Sequence, residues 1–263
     1  MKPKNQYLII TYYLFLLVLP IFVLLQTCQK FFWFTFFNRA MEPVALSAYS
    51  VTLSLALCAC FINTIFGFIV AWIISRYTFK TQNLWDALID LPFALPTSVA
   101  GFTLVIIYSE NGIFGKLLSQ FEITVIFSKL GIFIAMLFVS FPFIIRTLQP
   151  SLFVLEYELE QAAWSLGASP WITFNKIILP NLLPALYTGI TLAFSRSIGE
   201  YGSIVIISSN LALKDLITPV LIFQCLEQYD YIGATIIGSV MLIISLLLLF
   251  FINILQKQST LKL

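Results

Sequence analysis

Apolar residues in this chain come in long runs rather than in short alternating stripes. Runs near 20 residues, the length a helix needs to cross a hydrocarbon core of about 30 Å, recur at 7–25, 45–74, 87–108, 130–148, 184–206 and 231–255. Backbone groups in lipid must be hydrogen-bonded within the chain, which leaves helices or closed barrels, and unbroken runs of this length favour helices. The pattern therefore predicts an all-α polytopic protein, one membrane domain over 1–263, with six transmembrane helices and both termini on one side. The run at 45–74 is long enough to tilt or to project beyond the membrane. One stretch does not fit: "LEQAAWSLGASPWITFNKIILPNLLPAL", residues 159–186, is too polar and too broken for lipid, yet too rich in Trp, Phe, Ile and Leu for a solvated loop.

Composition agrees with the runs. Of 263 residues, 60% are hydrophobic and 10% charged, against about 25% charged in soluble domains. The mean hydropathy is +0.98. With six spans, Lys2, Lys4, Arg76, Lys80, Arg146, Lys176, Lys257 and Lys262 fall on one side and Lys30, Arg39, Lys116, Lys129 and Lys214 on the other. The more basic side is expected to be cytoplasmic, which puts 156–180 there, between spans four and five. Lys2 and Lys4 before an apolar run also suit a signal peptide, but "LLQTCQK" has no small-x-small cleavage site, so the first run is read as a retained anchor. The net charge of +2, without a basic, aromatic-interleaved patch, gives no sign of a nucleic-acid partner.

Several chemistries are excluded. The chain has no His, which removes the zinc-protease motif and any Ser–His or Cys–His pair. "NGIFGKLL" (111–118) has glycines at the wrong spacing for a phosphate loop, and Leu117 follows Lys116 where Ser or Thr is needed. No catalytic residue, metal ligand or nucleotide site is expected. Cys28, Cys58, Cys60 and Cys225 have no spacing that implies a bridge and are read as unpaired, with Cys58 and Cys60 on different faces.

Within the unusual stretch, Leu155–Leu166 reads as a helix far too short to span, with Leu155, Leu159, Ala162, Ala163 and Leu166 on one stripe. Gly167 can take the left-handed conformation that ends a helix. Ser169 as N-cap and Pro170 at the first position start a second short helix carrying Trp171, Phe174, Ile177 and Ile178. Leu179-Pro180 and Pro184 then lead into the next span. Two short helices at an angle make a knob with one greasy face, which suits either a groove on another protein or a bed of lipid headgroups.

"QAAWSLGASPWITFNKIILP" resembles the EAA loop of ABC-importer membrane subunits, with Ala162, Ala163, Gly167, Ile177, Leu179 and Pro180 on register. Gln161 stands where that pattern has Glu, and Glu160 precedes it. "LPFALPTSVAGFTLVIIYSENGIFG" (91–115), "SRSIGEYGSIVIISSN" (195–210) and "LEQYDYIGATII" (226–237) resemble the T-type permeases of sulfate and thiosulfate importers. The resemblance implies a type I importer permease fold and a coupling helix seated in a separate ATPase. It also implies a second, W-type permease, an ABC ATPase dimer carrying ATP and Mg²⁺, and an external sulfate-binding protein. The setting would be a bacterial inner membrane or a plastid envelope. A molybdate or tungstate permease and an ATPase-independent anion transporter are the rival readings. A dianion entering against −100 mV climbs about 4.6 kcal/mol, roughly three decades in concentration, so uptake needs an energy source that this chain lacks.

Candidate path residues follow from polarity inside spans. Arg196 lies about 18 Å along a helix from Pro184, and Glu200 follows one turn later. The two are either part of an anion path or a structural pair, and the order Arg-then-Glu leaves room for a partner on another helix. Ala185, Gly189, Ala193 and Ser197 form a small-residue stripe for close packing, within the bundle or against a second subunit. Pro92 and Pro96 break the third span ahead of Thr97 and Ser98, whose hydroxyls suit a path for oxyanions or else flank a simple packing kink.

Overall fold

The computed structural model describes residues 10–29, 33–155 and 157–260. Positions 7–9 of the first run, residue 156, and Lys2, Lys4, Lys30 and Lys262 lie outside the described residues. Among those described there are helices and turns and no strand. Five helices are long and apolar enough to cross a membrane. They are α1 (Ile10–Cys28), α3 (Pro43–Arg76), α8 (Lys129–Val154), α10 (Pro170–Ile198) and α13, which runs over Tyr231–Thr260 with Tyr231–Ile254 as its apolar part. Between them lie α2 (Trp33–Ala40), α4 (Gln82–Ile89), α5 (Leu91–Ala94), α6 (Thr97–Tyr108), α7 (Ile113–Ser119), α9 (Tyr157–Ser165), α11 (Ile204–Ile207) and α12 (Thr218–Glu227).

Contacts between distant residues establish how often the chain crosses. At one end Arg39 pairs with Asp230 at 2.7 Å, Phe127 N–H donates to Ile207 C=O at 2.8 Å, and Cys28, Ala40 and Ile236 cluster. At the other end Arg76 meets Glu160, Arg146 meets Asp86 and Asp90, and Gln256 Nε2 donates to Pro184 C=O at 3.2 Å. Among the described residues the chain passes between these ends six times, five times as one long helix and, in the third passage, as α5 and α6 together.

The third span is interrupted where its prolines predict, and the fifth is shorter than expected. Residues 87–108 are not one continuous helix. Pro92 lies in the first turn of the one-turn α5, Leu95 is extended, and Pro96 stands as N-cap of α6, because each proline lacks the donor that would continue the helix before it. The fifth helix ends at Ile198 rather than 206, and Gly199–Ser203 bend before α11.

The core is built on three mutually packed helices, α3, α8 and α10. α8 lies between α3 and α10, with α13 behind α10 and α12 against α13 and α3. Ile144 of α8, fully buried, is held between two glycines: a Cβ on Gly67 of α3 would come within 2.9 Å of its Cβ, and one on Gly189 of α10 within 3.2 Å of its Cα. Lipid gives no hydrophobic drive for helix association, so close backbone approach and buried hydrogen bonds hold the helices together. Asn63 of α3 supplies such bonds, donating to Leu137 C=O (3.0 Å) and Ser140 Oγ (2.8 Å) of α8. Gly189, Ala193 and Ser197 are buried and Ala185 partly so, which turns the small-residue stripe into a seam within this chain.

Leucine in place of Gly189 would overpack that seam at a cost of about 1–3 kcal/mol. Gly189→Leu is expected to lower the thermal midpoint of the detergent-purified chain by itself, before any partner is added; an unchanged midpoint would show that the seam has slack.

Candidate functional site

The segment between α8 and α10 folds into the knob its residues imply. α9 ends at Gly167, whose φ of +81° is the left-handed conformation, and Ala168 N–H returns to Ala163 C=O at 3.0 Å. Ser169 Oγ accepts from Ile172 N–H at 3.4 Å and Pro170 opens the next helix, as capping preferences require. Two expectations are corrected. Leu155 is the C-cap of α8 rather than part of α9. The second short helix is not separate from the span: Pro170–Ile198 is one helix. A π turn at Phe174–Ile178, closed by Leu179 N–H to Phe174 C=O, shifts the register just ahead of Pro180 and carries the helix past its missing donor.

The knob is tied to the end of α3. Arg76 Nη2 lies 2.7 Å from Glu160 Oε1, with both side chains largely buried. The contact is a charge pair without an aligned hydrogen bond. Arg76 also sits 5.0 Å over the Trp72 ring. Phe174 meets Phe68 and Trp72 edge-on at 6.0 and 6.2 Å and stacks on Trp171 at 6.1 Å. Glu160 therefore faces inward, while Gln161 and Ala162 are exposed and Ala163 is buried. Ile177, Leu179 and Pro180 are half-buried where α10 leaves the knob. The free face carries Leu166, 89% exposed, and Trp171, 71% exposed, with Trp164 and Ile172 beside them.

A second polar site lies within the bundle, and it joins two segments that are remote from each other in the chain. Gly101 of α6 packs on the Gly199–Ser203 bend so closely that a Cβ there would stand 2.6 Å from the Ser203 Cα. Gly202 in turn abuts Thr97. Thr97 is half-buried and Ser98 exposed. α6 has 12 residues, about 18 Å of helix, so its N-terminus lies far from the outer end that Tyr108 reaches. Pro96 provides no side-chain cap, and first-turn N–H groups of a helix have no intrahelical acceptor.

Arg196 and Glu200 pair with each other, Nη1 to Oε2 at 2.6 Å. The sequence order that disfavours such a pair along a helix does not apply, because the helix has already ended at Ile198. Glu200 is 1% exposed, and its other oxygen accepts from Ser203 N–H (3.0 Å) and Oγ–H (2.8 Å). Glu200 is thus held by two donors of Ser203 and by the charge of Arg196, whose side chain is 31% exposed.

Sequence reasoning passed over three groups. Arg76 entered it only as a loop charge. Asp86 and Asp90, spaced one helical turn apart, meet Arg146, which lies inside the fourth run; a paired acidic i,i+4 and a lone intramembrane Arg in so uncharged a chain were the available signals. Asp215 lies fully buried in the far-end loop. Burial alone would push its carboxyl up, but hydrogen bonds from Ser208, Ser209 and the Leu211 N–H hold it below its ordinary value.

Broken half-helices facing one another within a six-crossing helical bundle, plus a docked two-helix knob at one end, define a membrane permease subunit of the importer type. The family model for the binding-protein-dependent transport system inner membrane component matches residues 63–260, and the chain belongs to that family. It is 56% identical over 254 residues, 97% of this chain and 89% of the relative, to the probable sulfate transport system permease protein cysT of Chlorokybus atmophyticus. Identity to the protein of the same description from Mesostigma viride is 59% over 246 residues, 94% of this chain and 91% of the relative. Among solved structures, a bacterial ABC transporter that imports alginate has the same fold, with a TM-score of 0.77 at 16% identity over 97% of this chain and 96% of that one. The MetNI methionine ABC transporter matches with a TM-score of 0.58 at 19% identity, over 83% and 95%. The protein is a multi-pass membrane protein.

Glu160→Gln would leave Arg76 buried without its counter-charge, a loss of about 3 kcal/mol for a buried pair. Faster proteolysis within 156–169 of the detergent-solubilised chain is expected, with partial recovery in the Arg76→Met/Glu160→Leu double variant. Equal cleavage rates in the single variant and the parent would show that the pair does not hold the knob.

Proposed function

We propose that this chain is a permease subunit of an ATP-driven importer for sulfate or thiosulfate. It would act with a W-type permease, a dimer of ABC ATPase subunits that holds ATP and Mg²⁺, and an external sulfate-binding protein. The observation that carries the substrate class is the identity of 56% and 59%, over nearly the whole chain, to relatives described as sulfate permeases. The fold-level neighbours transport other cargoes and speak only to architecture.

The residues support the reading. Importing a dianion against −100 mV costs about 4.6 kcal/mol, so an external energy source is required. The exposed face of Leu166, Trp164, Trp171 and Ile172, braced on α3 by Glu160, has the form of a helix element that seats in a groove of another protein. Gln161 and Ala162 lie at the accessible part of this surface, with Gly167, Ser169 and Pro170 shaping it. In the path, the uncapped start of α6 presents backbone N–H groups and the Thr97 and Ser98 hydroxyls to an anion without fixed charge. Arg196 adds positive charge that Glu200 offsets, which keeps binding weak enough for the anion to leave.

Reconstituted with these partners, the complex is expected to accumulate labelled sulfate in an ATP-dependent way, with thiosulfate competing better than molybdate. Stronger competition by molybdate would reassign the substrate, and uptake indifferent to ATP would remove the importer reading. Thr97→Ala/Ser98→Ala should cut the uptake rate by about tenfold or more, tenfold being the effect of losing one hydrogen bond to a charged group, while the ATPase still co-purifies. Unchanged uptake would take both residues out of the path.

A further inference from the structure

Arg146 commits every N–H of its guanidinium. Nε donates to Asp90 Oδ1 at 2.7 Å and Nη2 to Asp90 Oδ2 at 2.6 Å, a bidentate grip on one carboxylate. Nη2 also donates to Asp86 C=O at 2.9 Å, and Nη1 donates to Asp86 Oδ1 at 2.9 Å and Gln149 Oε1 at 2.7 Å. Gln149 Nε2 completes the group by donating to Asp86 Oδ1 at 3.0 Å. The arginine lies on α8, eight residues before that helix ends at Val154 and leads into the knob. Of its two acidic partners, Asp86 lies within α4 and Asp90 is that helix's C-cap, and Asp90 C=O accepts from Phe93 and Ala94 N–H groups of α5. Phe93 itself meets Phe143 of α8 edge-on at 5.0 Å. From α5 the chain passes Leu95 and Pro96 directly into Thr97.

The clamp stands at the margin of the bundle, with side-chain exposures of 29% for Arg146, 42% for Asp86 and 50% for Asp90. Ion pairs this accessible add little to fold stability. What a planar five-donor fork does fix is register, because it fits its acceptors in one relative placement only. α6 is held to the bundle at its other side by the Gly101–Ser203 contact. Without the clamp, α8 could move while the Leu91–Thr97 segment lagged behind.

We propose that Arg146, through Asp86 and Asp90, is the positioning residue that makes the broken third span follow α8 when the knob is displaced. It transmits movement from the ATPase contact to the Thr97 end of α6 and does not itself touch the anion. This inference rests on the reading of the chain as an ATP-driven permease.

The test measures ATP hydrolysis and sulfate uptake on the same proteoliposomes containing the whole complex. Arg146→Lys keeps the charge but cannot bridge both carboxylates, and Asp90→Asn keeps one acceptor in place, so both are expected to assemble. In each, sulfate moved per ATP hydrolysed should fall about tenfold, the scale of a coupling residue, with hydrolysis itself within about twofold of the parent. The exchanged pair Arg146→Asp/Asp90→Arg should recover part of the ratio. An unchanged ratio in both single variants would overturn the proposal, as would hydrolysis and uptake declining together with the yield of folded complex. A parent complex that hydrolyses ATP yet imports no sulfate would instead overturn the sulfate reading.

Discussion

Inside lipid, every backbone N–H and C=O needs a partner from the protein itself, and that requirement governs where this chain can stop being helical. It stops twice at depth, at Leu95–Pro96 and at Gly199–Ser203, and the two interruptions cover each other. Gly101 lets α6 lie against the Ser203 backbone, and Gly202 makes room for Thr97. Glu200, which would be prohibitively placed as a bare buried carboxylate, is satisfied by Ser203 and Arg196. The irregular backbone that a transport path needs is therefore bought with local close packing, and side chains with polar groups are brought to one level of the bundle as a consequence.

α8 is the element through which the other parts are held. Its Ile144 is wedged between α3 and α10, its Arg146 grips the start of the third crossing, and its end leads into the knob. The knob is fixed a second time, by Glu160 on Arg76 and by Phe174 among Phe68 and Trp72, and a third time by the unbroken run of Pro170–Ile198 into the bundle. The knob is thus fixed to α3, α8 and α10 at once.

Legibility varied with the range of the physics involved. The six crossings were readable because apolar runs of span length have one stable solution in a bilayer. Gly167, Ser169 and Pro170 were readable because turn and cap preferences are local. The inward turn of Glu160 was not, since its partner Arg76 is 84 positions away and looked like an ordinary loop charge. The continuity of α10 through Pro180 was misjudged because a π turn depends on the packing around it rather than on the proline. The pairing of Arg196 with Glu200 was left open because the helix was expected to extend past both.

By itself the sequence determined the solvent, the number of passes and the placement of the knob, since hydropathy and capping act over a few turns at most. Tertiary structure alone decided which polar groups meet: the two breaks beside each other, the carboxylates on Arg146, and the seam that turned inward to Ile144. Those outcomes depend on how helices remote in the chain lie against one another, and helix-period patterns specify a face without naming what will cover it.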